Sequence, residues 1–437
     1  MAIVFERLIG QDRSRSSVFI RLESEDENGL SNVLPQSVYI AEALSYGSPI
    51  VTVTFKDQYG VYMNLLKIDP SARFDLHIGE TLETATVLPL RLSRIDMTNN
   101  VSGKSDNLSF KVSFVHYGWN EYLNKRRCRA WNNTKFSDIV EEIATESLYE
   151  EVEITPSRFD NEFTVQPHWT NNVFMRWVQE NAIPEKYDDH YEFSGRIDNS
   201  FIFKSISDII EENQEDAENE NIPVIKLNGY SSSPSTRNEE KEENDETPPY
   251  FLSFSSTEHY MDSVINGGSF TSVYYDFDSG KLVTTPVATP DMKSLQMSDW
   301  SSNKEEHNTS SIVLNSGRDN HGVERTKVKM SSVQLSTNQF KIQTEGSIKL
   351  HVGHMVEVIV PTPSNMIPPF SVMYSGFYIV GGITHQLVLE PSPNIISSIE
   401  LTRQGFDGVD LSGYTTTKLG KFVGEREQYE GRVYVQS

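Results

Sequence analysis

Two groupings in this chain hold residue types that can do chemistry: Asp188-Asp189-His190, and the pair His351 and His354. A histidine beside carboxylates can act as acid, base or metal ligand. The Asp188–His190 triplet, however, lies just before a hairpin pattern, where acidic turn residues are common. His351 and His354 flank Gly353 in a strand-like stretch. A spacing of three there points the rings to opposite faces, unlike the i, i+4 helical spacing of a zinc pair. Both groupings therefore read as structural polar residues.

Other chemistry is weaker still. With 62 acids in the chain, any chosen carboxylate pair is uninformative for glycoside cleavage, because the criterion is a separation in space. There is no Gly-x-Ser-x-Gly elbow, no phosphate-cradling glycine loop ending in Lys-Ser/Thr, and no His-Glu-x-x-His. Lys125-Arg126-Arg127 with Arg129 is the one dense basic cluster. It reads as a solvated turn or subunit contact rather than a nucleic-acid site. Trp169, Phe174 and Trp177 read as core rather than as a stacking platform. No catalytic, cofactor-binding or metal-ligating residue is assigned, and the chain is not expected to be an enzyme.

The elements that would position these residues follow from periodicity. Residues 1–116 are expected to be all-β. Ile50–Phe55 is β-branched-rich, Leu108–Phe114 alternates with period two, and Ile78–Leu92 supplies two further strands. From about Tyr117 the pattern changes. Phe136, Ile139, Val140, Ile143 and Ala144 make one helical stripe. Thr170 is an N-cap for a second helix with Val173, Phe174, Trp177 and Val178 on one side. Tyr191 and Phe193, a turn at Asp198-Asn199, then Phe201 and Phe203 form a hairpin. Residues 117–210 are thus a small α/β unit set into β surroundings.

Residues 211–248 hold twelve acids against three bases, a net of −9, and read as an exposed acidic loop or linker. From 249 to 437 β-character resumes around a polar excursion at about 284–328. The closing strands are Met355–Val360, Gly376–Leu387 and Ile399–Arg403, which suggest a compact barrel.

Length and composition bound the rest. At 437 residues the chain allows about three domains. The formal net charge of −24 argues against a protein that grips phosphates, although not against one that DNA merely passes. A single cysteine, Cys128, excludes an internal disulfide framework and suggests a reducing compartment. No apolar run reaches signal-peptide or membrane-spanning length, so a soluble chain without membrane insertion is expected.

The order of parts resembles a known family. Phe136–Ile143, then Val165-Gln-Pro-His-Trp-Thr170, then Asn172–Val178, is similar to the inserted domain of phage tail-hub proteins, with its helix, Gln-Pro turn, Thr cap and aromatic-rich helix. Gly353 before a valine-rich strand, Gly376–Val380 leading to Thr384-His385, and Ile399–Gly405 look like that family's last barrel. The family is the central baseplate hub of contractile phage tails, including late-control D proteins and the hub portion of type VI secretion spikes. The resemblance implies a mainly β chain with two tail-tube-like barrels and the α/β insertion. It implies a homotrimer that adapts a six-fold tube to a three-fold spike, with partners in the tube, spike and tape-measure proteins. DNA would pass the channel without specific binding, and the protein would reside in the virion tail after assembly in the host cytoplasm. The acidic 211–248 segment, the 284–328 excursion and the want of a recognisable spike or lysozyme extension depart from the family's pattern. A tail-associated peptidoglycan hydrolase and a receptor- or glycan-binding tail protein are the alternatives.

Overall fold

The computed structural model describes residues 2–10, 17–26, 29–57, 68–69, 71–99, 108–118, 125–158, 160–218, 224–226, 251–258, 269–276, 279–287, 310–315, 321–335, 338–345, 350–360, 374, 376–391 and 393–403. The first segment contributes β1 (Ala2–Gly10), β2 (Ser17–Ser24), β3 (Leu34–Ala43), β4 (Ile50–Asp57), β5 (Arg73–Gly79), β6 (Thr86–Asn99) and β7 (Leu108–His116). The middle segment runs β8 (Arg126–Lys135), α1 (Phe136–Glu146), β9 (Glu151–Ile154), β10 (Asp160–Thr170), α2 (Asn171–Asn181), β11 (Tyr191–Gly195), β12 (Ser200–Ser205) and α3 (Ile206–Glu218). The last comprises β13 (Val224–Lys226), β14 (Phe251–Glu258), β15 (Ser269–Asp276), β16 (Lys281–Val287), β17 (Ser310–Asn315), α4 (Gly322–Leu335), β18 (Asn338–Glu345), β19 (Met355–Ile359), β20 (Gly376–Val388) and β21 (Asn394–Arg403). The chain is mainly β with an α/β insertion, as expected.

The first and last segments are not separate sheets. One sheet runs β1-β2-β5-β6-β7-β4-β3-β20-β21-β18-β14, with β19 attached to β20 and β13 to β19. The join is antiparallel pairing of β3 with β20, from Ala43 opposite Gly382 to Ser37 opposite Val388. Alternation explains the sheet's inner face: Val51, Val53 and Phe55 on β4, and Phe110, Val112 and Phe114 on β7, are all buried. The sheet curls, because Val4 and Ile9 of β1 share one core with Leu387, Leu389 and Ile395 of the last segment. A second core forms on the far side of the join, around Phe340, Val356, Tyr378, Val380 and Leu401.

The insertion has its own core, fed by α1, α2 and the β11–β12 hairpin. The α1 stripe Phe136, Ile139, Val140, Ile143 and Ala144 is buried as the period requires. Thr170 caps α2, its Oγ1 accepting from the Val173 N–H at 3.4 Å. Val173 itself, expected in the core, is 49% exposed, and Met175 is buried instead. The hairpin pairs Tyr191 with Ser205 through Gly195 with Phe201, and its four aromatic residues are all buried. The expected Gln-Pro turn is the end of β10, where the register shifts between Pro167 and Trp169.

Two expectations about loops need correction. The acidic 211–248 stretch opens as helix: α3 carries Ile206, Ile209 and Ile210 into a cluster with Met355 and Ile379, leaving Glu211 and Glu212 to pair with Lys186 and Lys204. An apolar stripe at i, i+3, i+4 just before the acids thus sets the helix, and acids on its outer face tolerate it. The 284–328 excursion includes part of β16, all of β17 and the first turns of α4. Residues 219–223, 227–250, 288–309 and 316–320 lie outside the described residues.

Candidate functional site: a buried charged joint

Where the three segments meet, charged side chains are buried beside the apolar ones. Glu42, near the end of β3, is buried. One carboxylate oxygen, Oε1, accepts the Ile197 N–H at 2.6 Å and lies 3.3 Å from His351 Nδ1. The other, Oε2, accepts the Val352 N–H at 3.2 Å. A single carboxylate thus ties β3 to the β11–β12 turn and to the loop before β19. Arg196 in that turn donates to the Val352 carbonyl at 2.9 Å and pairs with Glu153 of β9 at 3.2 Å. Lys204 of β12 also pairs with Glu153. His351 Nε2 sits 3.8 Å from Asp198 Oδ2. Gly353 takes φ +85°, and a Cβ there would meet Ile202 Cδ1 at 2.9 Å, so only glycine closes this loop over the hairpin.

The protonation states follow. Burial alone would raise the Glu42 carboxyl, but the hydrogen bond and charge of His351 and the Ile197 N–H hold it below the usual range. Burial would lower His351, yet Glu42 and Asp198 outweigh it and raise the imidazole above its ordinary value. His354 has the opposite fate. Burial, with Arg196 and His351 as positive neighbours, pushes it down to about 4. Burial also takes His385 on β20 to about 4.

A second polar contact joins the insertion to its neighbours. Asp188 receives Arg158 at 3.1 Å and Lys327 of α4 at 2.6 Å. The Asp189 carboxylate accepts the Ser207 N–H and so caps α3, while burial pushes it up to about 6. His190 meets Ser331 of α4 at 3.0 Å and Glu192 at 3.3 Å. Gln179 of α2 donates to Ser45, Glu192 and the Tyr191 carbonyl. Near the first joint, His116 Nε2 donates to Asn199 at 2.9 Å and stacks on Tyr149, whose hydroxyl donates to the Gly47 carbonyl.

Each residue grouping singled out in the sequence now has a place. His351 and His354 are not on opposite faces of a strand. They lie in the loop before β19 with ring centroids 5.5 Å apart. The Asp188–His190 triplet lies just before the hairpin, as expected, and is buried. The basic cluster is on β8, not in a turn: Arg127 and Arg129 pair with Glu146 of α1, and Arg129 also with Glu142. Trp169, Phe174 and Trp177 pack in the insertion core, as expected. Glu42 and Arg196 went unnoticed in the sequence because no local pattern marks them. Among the described residues no group of three or more His, Cys, Asp or Glu is arranged to hold a metal ion, and no helix is long and apolar enough to cross a membrane.

Apolar side chains are exposed on several elements, one of them a two-stranded ribbon. The β8–β10 ribbon turns Phe163, 62% exposed, and Val165, 40% exposed, outward, with Cys128, Ala130 and Pro167 also exposed on that side.

No protein-family model and no curated protein matches the sequence. Among the solved structures that do match, two tail proteins share the fold along nearly the whole chain. The 43 kDa tail protein of prophage MuSo2 from Shewanella oneidensis aligns with a TM-score of 0.53 at 8% identity, covering 89% of this chain and 100% of that one. A tail protein from Neisseria meningitidis MC58 gives 0.52 at 8% identity, covering 88% and 96%. The curled sheet with its α/β insertion is therefore a fold shared with these tail proteins.

Proposed function

We propose that this protein is a structural component of a phage virion, the central hub of a contractile tail baseplate. Three copies form a ring that adapts the six-fold tail tube above to the three-fold spike below, and tape-measure protein and then DNA pass through its lumen. The observation that carries this reading is the fold likeness to a tail protein over its entire length. In this reading residues 1–116 and 249–437 are the tube-like units, residues 117–210 are the outboard insertion, and 211–248 links them.

The physical character of the chain supports it. A hub transmits geometry rather than turning over a substrate, and the buried charges described above are engaged in tying segments together. A net charge of −24 suits a channel that must not retain phosphate, because like charge repels it. Closed symmetry covers sheet edges without runaway polymerisation.

Absolute mass by light scattering, at several concentrations and two salt levels, tests the reading. The expected result is a stable species of three times the 49.7 kDa chain mass. A monomer under every condition, including with tube and spike proteins added, would overturn it. Loss of turbidity from a peptidoglycan suspension would instead favour a hydrolase, and saturable adsorption to host cells a receptor-binding protein.

A further inference from the structure

The joint around Glu42 brings acids and bases of three segments into contact. Glu42, Asp198 and Glu153 bring three negative charges; Arg196 and Lys204 bring two positive ones. His351 lies between two of the acids. Its ring reaches both carboxylates at once, Nδ1 at 3.3 Å from Glu42 and Nε2 at 3.8 Å from Asp198. The Glu42 side cannot be rearranged into water, because that side chain has no solvent exposure, whereas the Asp198 side chain is 32% exposed. We propose that His351 is a proton-dependent clasp: as imidazolium it tightens the loop before β19 against β3 and the β11–β12 turn, and on losing its proton it loosens that hold.

The argument is one of geometry and charge. A neutral imidazole can keep its one N–H on Glu42 but offers no positive charge to Glu42 or to Asp198. Deprotonation leaves the buried Glu42 charge without its cationic partner, an arrangement that costs more inside than in water. The other groups facing the site do not substitute. His354 and His385 are held neutral by burial, Lys204 is committed to Glu153 and Glu212, and Arg196 to Glu153 and the Val352 carbonyl. The His351 imidazole is raised by its carboxylate partners. Its contribution is therefore fully present below the ordinary histidine value of 6.5 and is lost as pH rises through the raised value.

Two measurements on the full chain decide the matter. The first is the titration of the His351 ring by NMR of histidine-labelled protein, with the signal assigned from His351→Gln. Above pH 6.5 the wild-type ring is expected to remain charged, and Glu42→Gln should lower its midpoint by about one unit, a tenfold change in proton affinity. A wild-type midpoint at or below 6.5, or no response to Glu42→Gln, overturns the clasp. The second uses the wild-type protein alone and stands even if the variants do not fold. Amide exchange at Ile197 and Val352, the two N–H donors to Glu42, is followed from pH 6 to 9 and corrected for intrinsic rate. Protection at both should fall together by about tenfold per proton lost per unit of pH, while amides in the core of β4 stay unchanged. Flat protection at Ile197 and Val352 across that range overturns the proposal.

Discussion

Glu42 serves three donors with two oxygens, and that sets what its replacement does. Glu42→Ala leaves the Ile197 and Val352 N–H groups and the His351 ring without their acceptor inside the protein. Breaking a buried ionic contact by removing one partner costs about 3–5 kcal/mol, so urea unfolding at pH 7 should show a loss of that order. Glu42→Gln keeps one acceptor and should cost less. Acid sensitivity also has its source in single residues. His116, His354 and His385 titrate at about 4 in the fold, chiefly through burial, against an ordinary 6.5. As pH falls from 6.5 the unfolded chain takes up these protons first. Their stabilising effect is therefore whole above 6.5 and is lost on the way down to 4, at about 1.4 kcal/mol per pH unit for each proton. Asp189 and His351 work the other way and take their protons first in the folded state. Asp189 is raised to about 6 from 3.8, and His351 is raised by its carboxylate partners, but the three lowered rings outnumber them. The balance is a net uptake on unfolding, and the urea midpoint at pH 5 should lie well below that at pH 7. An unchanged midpoint would mean that these rings are not buried as described.

At the scale of elements, α2 shows how far local pattern reaches. Thr170→Ala removes the hydroxyl that accepts the Val173 N–H and should cost about 1 kcal/mol in urea unfolding, with Thr170→Ser retaining most of it. Met175→Ala should cost about 2–5 kcal/mol as a buried truncation. Val173→Ala, at a half-exposed site, should stay within about 0.5 kcal/mol. Periodicity and cap chemistry made the helix legible from sequence, as they did α1 and the hairpin, because those signals sit within a few residues. They did not fix which side of α2 faces inward, since Val173, Phe174, Met175 and Trp177 are all apolar and the stripe can be drawn through either flank. The β8–β10 ribbon escaped notice for a related reason. Its inner positions include Arg127 and Arg129, whose charges are met by Glu142 and Glu146 of α1, so the alternation that marks a half-buried strand is disguised. The joint was illegible altogether. Glu42 and His351 are 309 positions apart, and nothing near either residue announces the other.

Across the whole molecule, the shared sheet makes the first segment depend on the last. Leu387, Leu389 and Ile395 sit in the same core as Val38, Phe55, Phe74 and Phe114, and β20 supplies the second neighbour of β3 along seven residue pairs from Ala43/Gly382 to Ser37/Val388. Burying three such side chains contributes about 1.5–3 kcal/mol each, comparable with the whole net stability of about 5–15 kcal/mol expected of a domain. The reading of residues 1–116 as a self-contained unit would let a fragment of residues 1–210 fold alone. The topology points the other way: such a fragment leaves the β3 edge open and one wall of its core missing. It should show no cooperative thermal transition and should bind a hydrophobic dye. The full chain, by contrast, should lose the first β core and the β3–β20 pairing together in one transition, followed by amide exchange in β4 and β20. A soluble, dye-silent 1–210 fragment with its own sharp melting transition would show instead that the curl closes without β20, and that the shared sheet is a docking contact rather than part of the fold.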